Sequence, residues 1–256
     1  MTNDNKKAPS NRVVILGALS AIAIATARIY AKEGAAIMLV ARNPERLNAL
    51  AADLRARGAA QVETAAMDLE AAANEAAKHM ADWKTRLGGI SHVHVIYGYL
   101  GTQEKASSDP AELTRITSSN YTTAIHWCEA TANIFRAQKS GSLVVVSSVA
   151  GDRGRQSNYA YGAAKGAIAL YTQGLAHSLA GTGARAVAVK PGFVDTPMTD
   201  GMKKGGAMWA SPEKVAAILR RAADKGGPIQ YAPGRWRLVM TIIRSVPSPI
   251  FHKTKL

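Results

Sequence analysis

RVVILGALSAIA, residues 12–23, is the stretch from which the rest of the chain is read. Arg12 to Leu16 is an apolar run of strand length, and the residues from there to Gly34 have helical spacing. Between them GALSAIA, Gly17 to Ala23, is a turn of small residues. Strand, tight turn and helix form the arrangement in which backbone N–H groups at a helix N-terminus cradle a dinucleotide pyrophosphate. Gly17, Leu19, Ser20, Ala21 and Ile22 are therefore expected to line that ligand. Only one glycine stands where such turns usually have three, with Ala21 and Ala23 in the other places, so the turn alone is a weak signature.

The pattern repeats outward. A second apolar run, Ala36 to Ala41, ends in Arg42, where an acidic side chain would normally hold a ribose 2′-hydroxyl. Arginine there suits a 2′-phosphate, so NADP(H) is expected rather than NAD(H); the plain alternative is a solvated arginine opening the helix that runs to about Gly58. A third strand, Gln61 to Met67, leads to Asp68 and Leu69, with Asp68 placed to bond an adenine edge or to cap the next helix. A fourth, residues 93–97, ends in GYLG, where Gly98 allows backbone to approach a ligand closely. A long helical region then contains Asn120, which is either a surface position or a residue that bends its helix by bonding its own backbone. Leu143 to Val146 and Ala184 to Val189 are further strands, and Pro228 to Ala232 supplies a last one. After the sixth strand comes KPGFVDTPM, which places Pro191, Gly192, Val194 and Thr196 at the carboxyl edge of the sheet, where ligands bind in such folds. Asp200 to Ala210, rich in Gly, Lys and Met, is expected to form a mobile lid, and Ser211 to Lys225 a helix opened by Ser-Pro-Glu. This alternation predicts an α/β fold: a single Rossmann-type, doubly wound parallel sheet of about seven strands with helices on both faces.

A second stretch carries chemistry. Ser147 to Lys165 reads SSVAGDRGRQSNYAYGAAK, with Ser148 at the end of a strand and Tyr161 and Lys165 four apart in a helical segment. On a helix that spacing sets an ammonium beside a phenol. A nearby cation favours the phenolate, so the pair suits proton transfer in ketone reduction or alcohol oxidation, with Ser148 orienting the oxygen. About 0.5 such Tyr/Lys pairs are expected by chance in a chain of this composition, so the pair gains meaning only from its place on the sheet.

The chain has 256 residues with 47% hydrophobic and 20% charged side chains, enough for one well-buried domain of ordinary make-up. Residues 1–10 are expected to be disordered, 11–232 to form the nucleotide-binding reductase domain, and 233–256 a basic amphipathic tail. No signal peptide and no membrane span is legible, so a cytoplasmic protein is expected. One cysteine, Cys128, excludes an intrachain disulfide and reads as helix packing. His92 and His94 alternate on a strand without a third ligand, and no metal is expected. Net charge is +14, and residues 203–256 hold eleven Lys/Arg against two acids. A nucleic acid is the first candidate partner for that excess, though no binding motif accompanies it, and an anionic lipid surface is the second.

Together these residues resemble the short-chain dehydrogenase/reductase superfamily over about residues 11–232. GALSAIA is similar to its glycine-rich turn, Asp68 to its adenine-side acid, PGFVDT to its nicotinamide-side loop, and Asn120, Ser148, Tyr161 and Lys165 to its catalytic four. The resemblance implies that Tyr161 passes a proton to the carbonyl oxygen, Ser148 positions the substrate, Lys165 lowers the tyrosine pKa and holds the nicotinamide ribose, and Asn120 anchors a proton-relay water. It also implies a homodimer or homotetramer. IYGYLG, Ile96 to Gly101, departs from the family's usual Asn-Asn-Ala-Gly.

Less common features, GALSAIA, YGYLG, the SSVAGDRGRQSNYAYGAAK segment and the tail ending WRLVMTIIRSVPSPIFHKTKL, are similar to the decaprenylphosphoryl-2-keto-β-D-erythro-pentose reductases of cell-wall arabinan synthesis. That resemblance implies a keto sugar on a polyprenyl phosphate, a flavin oxidase partner that makes the ketone, and work on the inner face of the plasma membrane. In the tail Trp236, Leu238, Val239, Ile242, Ile243 and Phe251 interleave with Arg235, Arg237, Arg244, Lys253 and Lys255, as in a segment that lies in headgroups. Prolines 247 and 249 limit its helix to roughly Arg235 to Val246. Two other readings stay open: a reductase of a soluble ketone whose tail packs on its own domain or a neighbouring subunit, and a catalytically silent binding protein.

Overall fold

The computed structural model describes Pro9, residues 11–201 and residues 205–254. The expected disorder of residues 1–10 falls, Pro9 apart, outside the described residues, as do residues 202–204 of the expected lid and Lys255. The first half of the chain forms β1 (Arg12–Leu16), α1 (Ala21–Lys32), β2 (Ala36–Ala41), α2 (Pro44–Ala56), β3 (Gln61–Ala66), α3 (Ala76–Leu87), β4 (His92–Val95), α4 (Gln103–Ser108), α5 (Pro110–Thr117) and α6 (Thr123–Gln138). The second half forms β5 (Gly141–Val146), α7 (Tyr159–Ser178), β6 (Ala184–Pro191), β7 (Phe193–Val194), β8 (Trp209–Ala210), α8 (Pro212–Lys225), β9 (Ile229–Ala232), α9 (Trp236–Ser245) and α10 (Ser248–Phe251).

Seven strands pair in parallel in the order β3-β2-β1-β4-β5-β6-β9. The order reverses between β1 and β4, which opens a crevice at the carboxyl ends of the strands. Alternate residues of each strand enter opposite cores. Val13, Ile15, Ile37 and Leu39 share one with Tyr30 of α1 and Leu219 of α8. Val14, Leu16, Met38 and Val40 share the other with Trp83, Trp127 and Phe135. Burial on both faces is why these strands read as unbroken apolar runs.

Some boundaries differ from the sequence reading. β4 ends at Val95, two residues early, because Tyr97 leaves the sheet once the Ile96 N–H has bonded the Leu16 carbonyl at 2.9 Å. The cause lies next door: Gly17, at φ 83°, is so close that a Cβ there would stand 2.6 Å from the Tyr97 Cβ. α5 and α6 are joined by a π-helical turn, Ser118–Thr122, in which Asn120 Nδ2 donates to the Ile116 carbonyl at 2.8 Å. Asn120 therefore bends its helix and is not a surface residue. At the end of the expected lid, β8 pairs with β7, and the Asp195 N–H donates to the Ala210 carbonyl at 3.0 Å, so that end is tied down.

His94 Nε2 shares a hydrogen bond of 2.9 Å with the Tyr30 hydroxyl, and His92 Nδ1 one of 2.9 Å with Ser91 Oγ. Burial holds the His94 imidazole down to about 3 and the His92 imidazole down to about 4. Among the described residues no helix is long and apolar enough to cross a membrane. α9 buries Trp236 and Met240 against Val149, Phe193 and Tyr231, while Leu238 and Ile242 on its other face are exposed by 67% and 59%.

Candidate active site

A cleft of about 620 Å³ occupies the crevice; every residue expected to meet a cofactor lines it, and of the expected catalytic four only Asn120 does not, standing behind it. At the β1 end the Gly17 and Ala18 N–H groups both donate to the Val40 carbonyl, at 2.9 and 3.0 Å, folding the turn back on β2. Ser20 is the N-cap of α1: its Oγ accepts the Ala23 N–H at 3.3 Å and donates to the Ile96 carbonyl at 3.1 Å. The capping serine thus joins the first turn of the helix to the end of β4. Leu19, Ala21 and Ile22 form the wall above. Arg42 lies exposed past the end of β2, and Asp68 lines the cleft and accepts the Glu70 N–H at 2.8 Å within the turn that follows β3, so it caps that turn and not the next helix, whose N-cap is Ala72. Leu69 is buried beside it, its carbonyl bonded by Trp127 Nε1 at 2.9 Å.

The other end carries the acid/base residues. Ser148 leaves β5 extended, and its Oγ accepts the Ala150 N–H at 3.1 Å. Ser147 Oγ donates to the Lys165 carbonyl at 2.6 Å, and Lys165 Nζ donates to the Val146 carbonyl at 3.1 Å, so α7 is held to the end of β5 from both sides. The loop after Ser148 then lies backbone to backbone on α7. A Cβ on Gly151 would stand 2.5 Å from the Gly166 nitrogen, and one on Gly162 2.8 Å from the Ala150 carbonyl oxygen. These three glycines bring Ser148 and Tyr161 together across thirteen residues of sequence. Their only sequence signal is the four-residue spacing of Gly162 and Gly166, which puts both on one helix face.

Burial pushes the Tyr161 phenol up to about 12, opposed by a hydrogen bond with Ser148, and pulls the Lys165 ammonium down to about 8. Burial, more than the ammonium 5.9 Å from its ring centre, governs the phenol. At neutral pH the phenol therefore keeps its proton and the amine is charged. Asn120 packs behind Lys165: a Cβ on Gly98 would meet Asn120 Oδ1 at 2.4 Å and Lys165 Nζ at 3.1 Å. Both amide hydrogens of Asn120 are engaged, by the carbonyls of Tyr99 at 2.6 Å and Ile116 at 2.8 Å, so a relay water is not held by them.

Pro191, Gly192, Val194 and Thr196 close the cleft on the β6 side. The Gly192 N–H donates to the Ala232 carbonyl at 3.1 Å, and Trp236 of α9 sits where a Cβ on Gly192 would be. Several lining or supporting residues escaped the sequence reading: Arg115, Arg155 and Asn158 line the cleft, and Asp152, Lys190 and Arg153 hold its loop. Except for Arg115, they lie within the stretches Ser147 to Lys165 and KPGFVDTPM, but no role was read for them.

The cradle fits a dinucleotide: a helix N-terminus opens on the cleft at Ala21 and Ile22, side chains are excluded at Gly17 and Gly98, and a guanidinium stands at the β2 end. Such a crevice, with a phenol and an ammonium at its far end, defines a nucleotide-dependent oxidoreductase of Rossmann type. Residues 11–206 match the short chain dehydrogenase family, and the chain belongs to it. It is an NAD(P)-dependent oxidoreductase acting on CH–OH groups. An uncharacterized oxidoreductase of Mycobacterium tuberculosis is 36% identical over 244 residues, covering 94% of this chain and 96% of the relative. Another, from Streptomyces coelicolor, is 34% identical over 249 residues and covers 96% of each chain. Among solved structures, an actinorhodin polyketide ketoreductase with NADPH superposes with a TM-score of 0.77 at 22% identity, over 87% of this chain and 95% of that one.

Proposed function

We propose that the chain is an NADPH-dependent keto reductase, and that its substrate is a keto sugar carried on a polyprenyl phosphate, or a related one, at a membrane surface. The observation that carries the reductase reading is the meeting of Ser148, Tyr161 and Lys165 in one cleft, with Lys165 Nζ 5.9 Å from the Tyr161 ring centre and burial keeping the proton on the phenol. In this reading Tyr161 passes that proton to the carbonyl oxygen, and the hydroxyl of Ser148 holds the same oxygen. Bound NADPH supplies the hydride that reaches the carbonyl carbon. Lys165 stabilises the phenolate left behind and holds the nicotinamide ribose. Asn120 keeps Gly98 and the end of β4 against Lys165. Arg42 meets the 2′-phosphate, with Asp68 on the adenine side.

The membrane part rests on the tail. Leu238, Ile242 and Ile250 are exposed by 67%, 59% and 60%, among Arg235, Arg237, Arg244 and Lys253. Apolar burial and attraction to anionic headgroups favour the same pose of such a face. A flavin-dependent oxidase would supply the ketone, the chain would work as a dimer or tetramer, and the tail would hold it to the inner face of the plasma membrane. The packing of Trp236 and Met240 on the chain's own Val149 and Phe193 favours a second reading, reduction of a soluble ketone with the tail as a structural arm.

Flotation with vesicles containing anionic phospholipid, alongside NADPH oxidation with lipid-linked and soluble ketones, separates the two. Retention on vesicles and preference for the lipid-linked ketone support the first. Rapid turnover of soluble ketones by a chain that does not float leaves the second.

A further inference from the structure

We infer that Arg155 is an oxyanion-binding residue, and that the ketone reaching Tyr161 carries a phosphate or carboxylate which this guanidinium grips. The inference rests on the keto-reductase reading and deepens it. Arg155 belongs to the loop between Ser148 and Tyr161 and lines the same cleft. Its Nε is buried without a hydrogen-bond partner, and the Oδ1 of Asn158, on the same wall, is buried without one too. Burial lowers the Arg155 pKa and is the only cause of that shift.

Two other arginines buried at least in part have anionic or carbonyl partners close by, although Arg220 Nη1, like Arg155 Nε, has no hydrogen bond. Arg153, two residues earlier, donates to the carbonyl of Val246 at 2.6 Å and to that of Arg244 at 3.2 Å. Arg220 forms ion pairs with Glu33 at 2.9 Å and Asp224 at 2.6 Å. A buried donor left without an acceptor costs about 1–3 kcal/mol, more when charged, and an oxyanion from the ligand would offset that cost. The guanidinium fork matches the two oxygens of a phosphate or carboxylate.

Place in the sheet separates this group from the cofactor's phosphates. Arg42 follows β2, whereas Arg155 follows β5, on the far side of β1 and β4. A second guanidinium completes the pattern. Arg115 of α5 also lines the cleft, stacked 3.9 Å over the Tyr99 ring, and Tyr99 packs in one cluster with Tyr161. The substrate end of the cleft is thus cationic on two walls.

The test is calorimetric titration of phenyl phosphate and of benzoate into the full chain saturated with NADPH, which fills the cofactor's own anion sites. Wild type should bind at least one probe, and the one that binds names the oxyanion. Arg155→Gln should weaken binding by about tenfold or more, and Arg155→Lys by less. Without ligand, Arg155→Gln should melt no lower than wild type, since it removes a half-buried cation whose Nε has no partner. Equal affinity in wild type and Arg155→Gln, no binding of either probe at about 10 mM, or a lower melting point of the ligand-free variant overturns the inference. A failed reductase reading looks different: no ketone supports NADPH oxidation, although a probe still binds in an Arg155-dependent way.

Discussion

Arg153 Nη1 donates to the main-chain carbonyl of Val246 at 2.6 Å, joining residues 93 apart in sequence. The same nitrogen reaches the carbonyl of Ile243, and the guanidinium carbon lies 3.8 Å from the centre of the Phe251 ring. One side chain thereby fastens the C-terminal end of α9, and α10 after it, to the loop that begins at Ser148. Its neighbour Asp152 ties that loop to β6 and β9, through Lys190 at 2.5 Å and the Tyr231 hydroxyl at 2.8 Å. Arg153→Ala should destabilise the protein by about 1–3 kcal/mol in urea unfolding, the cost of orphaned carbonyls, and lower kcat through a looser Ser148. Unchanged unfolding and turnover would show that the tail is independent of the loop.

Tyr161→Phe removes the only proton that the phenol could give while leaving a ring of nearly the same volume. Ketone reduction should fall by about 10²- to 10⁴-fold, with NADPH affinity held within a factor of about three. Steady-state kinetics and cofactor fluorescence titration check the two halves separately. Near-wild-type turnover would remove Tyr161 from the mechanism.

Arg42→Ala should weaken NADPH by about tenfold or more and NADH hardly at all, because only the former presents a 2′-phosphate to the guanidinium. Dissociation constants for both nucleotides decide it. An equal loss would mean that Arg42 merely begins α2.

Gly98→Ala should cost activity although every titrating residue is kept. Its Cβ would stand 2.4 Å from Asn120 Oδ1 and 3.1 Å from Lys165 Nζ, so the residues behind the ammonium must move. A fall in kcat of about tenfold or more is expected, since small displacements of positioned groups are costly. Wild-type kcat would show that the Asn120 and Lys165 side chains retreat freely.

His92 and His94 predict an acid limb in stability. Burial holds their folded pKa values at about 4 and about 3, below the ordinary 6.5, so the unfolded chain takes up protons first as pH falls. Their contribution is complete above pH ~6.5 and is lost on descending toward those folded values, by up to about 1.4 kcal/mol per pH unit for each histidine. His94→Phe should remove roughly half of the slope in urea midpoint between pH 6 and 4.5. An unaltered slope would assign the acid limb to carboxylates instead.

The parallel sheet was legible because strands buried on both faces must be written as apolar runs: β1 and β2 begin and end where those runs do. The end of β4 was not, because Tyr97 is as apolar as its neighbours and leaves the sheet only where Gly17 crosses it. Asn120 shows a similar limit, since a polar residue in a helical stretch reads alike whether it faces solvent or bends the chain. The π-helical turn and the Ile116 carbonyl settle which it does.

The residues expected at the cleft were named from short local patterns, and the fold gathers them at one end of the sheet because strand, turn and helix are local and recur in order. What the sequence by itself determined is therefore the class of fold, the order of its units and the identity of Ser148, Tyr161 and Lys165 as a constellation. Tertiary structure alone decided how those groups titrate, since burial comes from residues distant in the chain, and which arginine is fastened and which is not. Arg153 and Arg155 are two residues apart and identical in type. One meets the carbonyls of α9 and the other lines the cleft with its Nε unpartnered, a difference created only when β5, α7 and α9 are packed together.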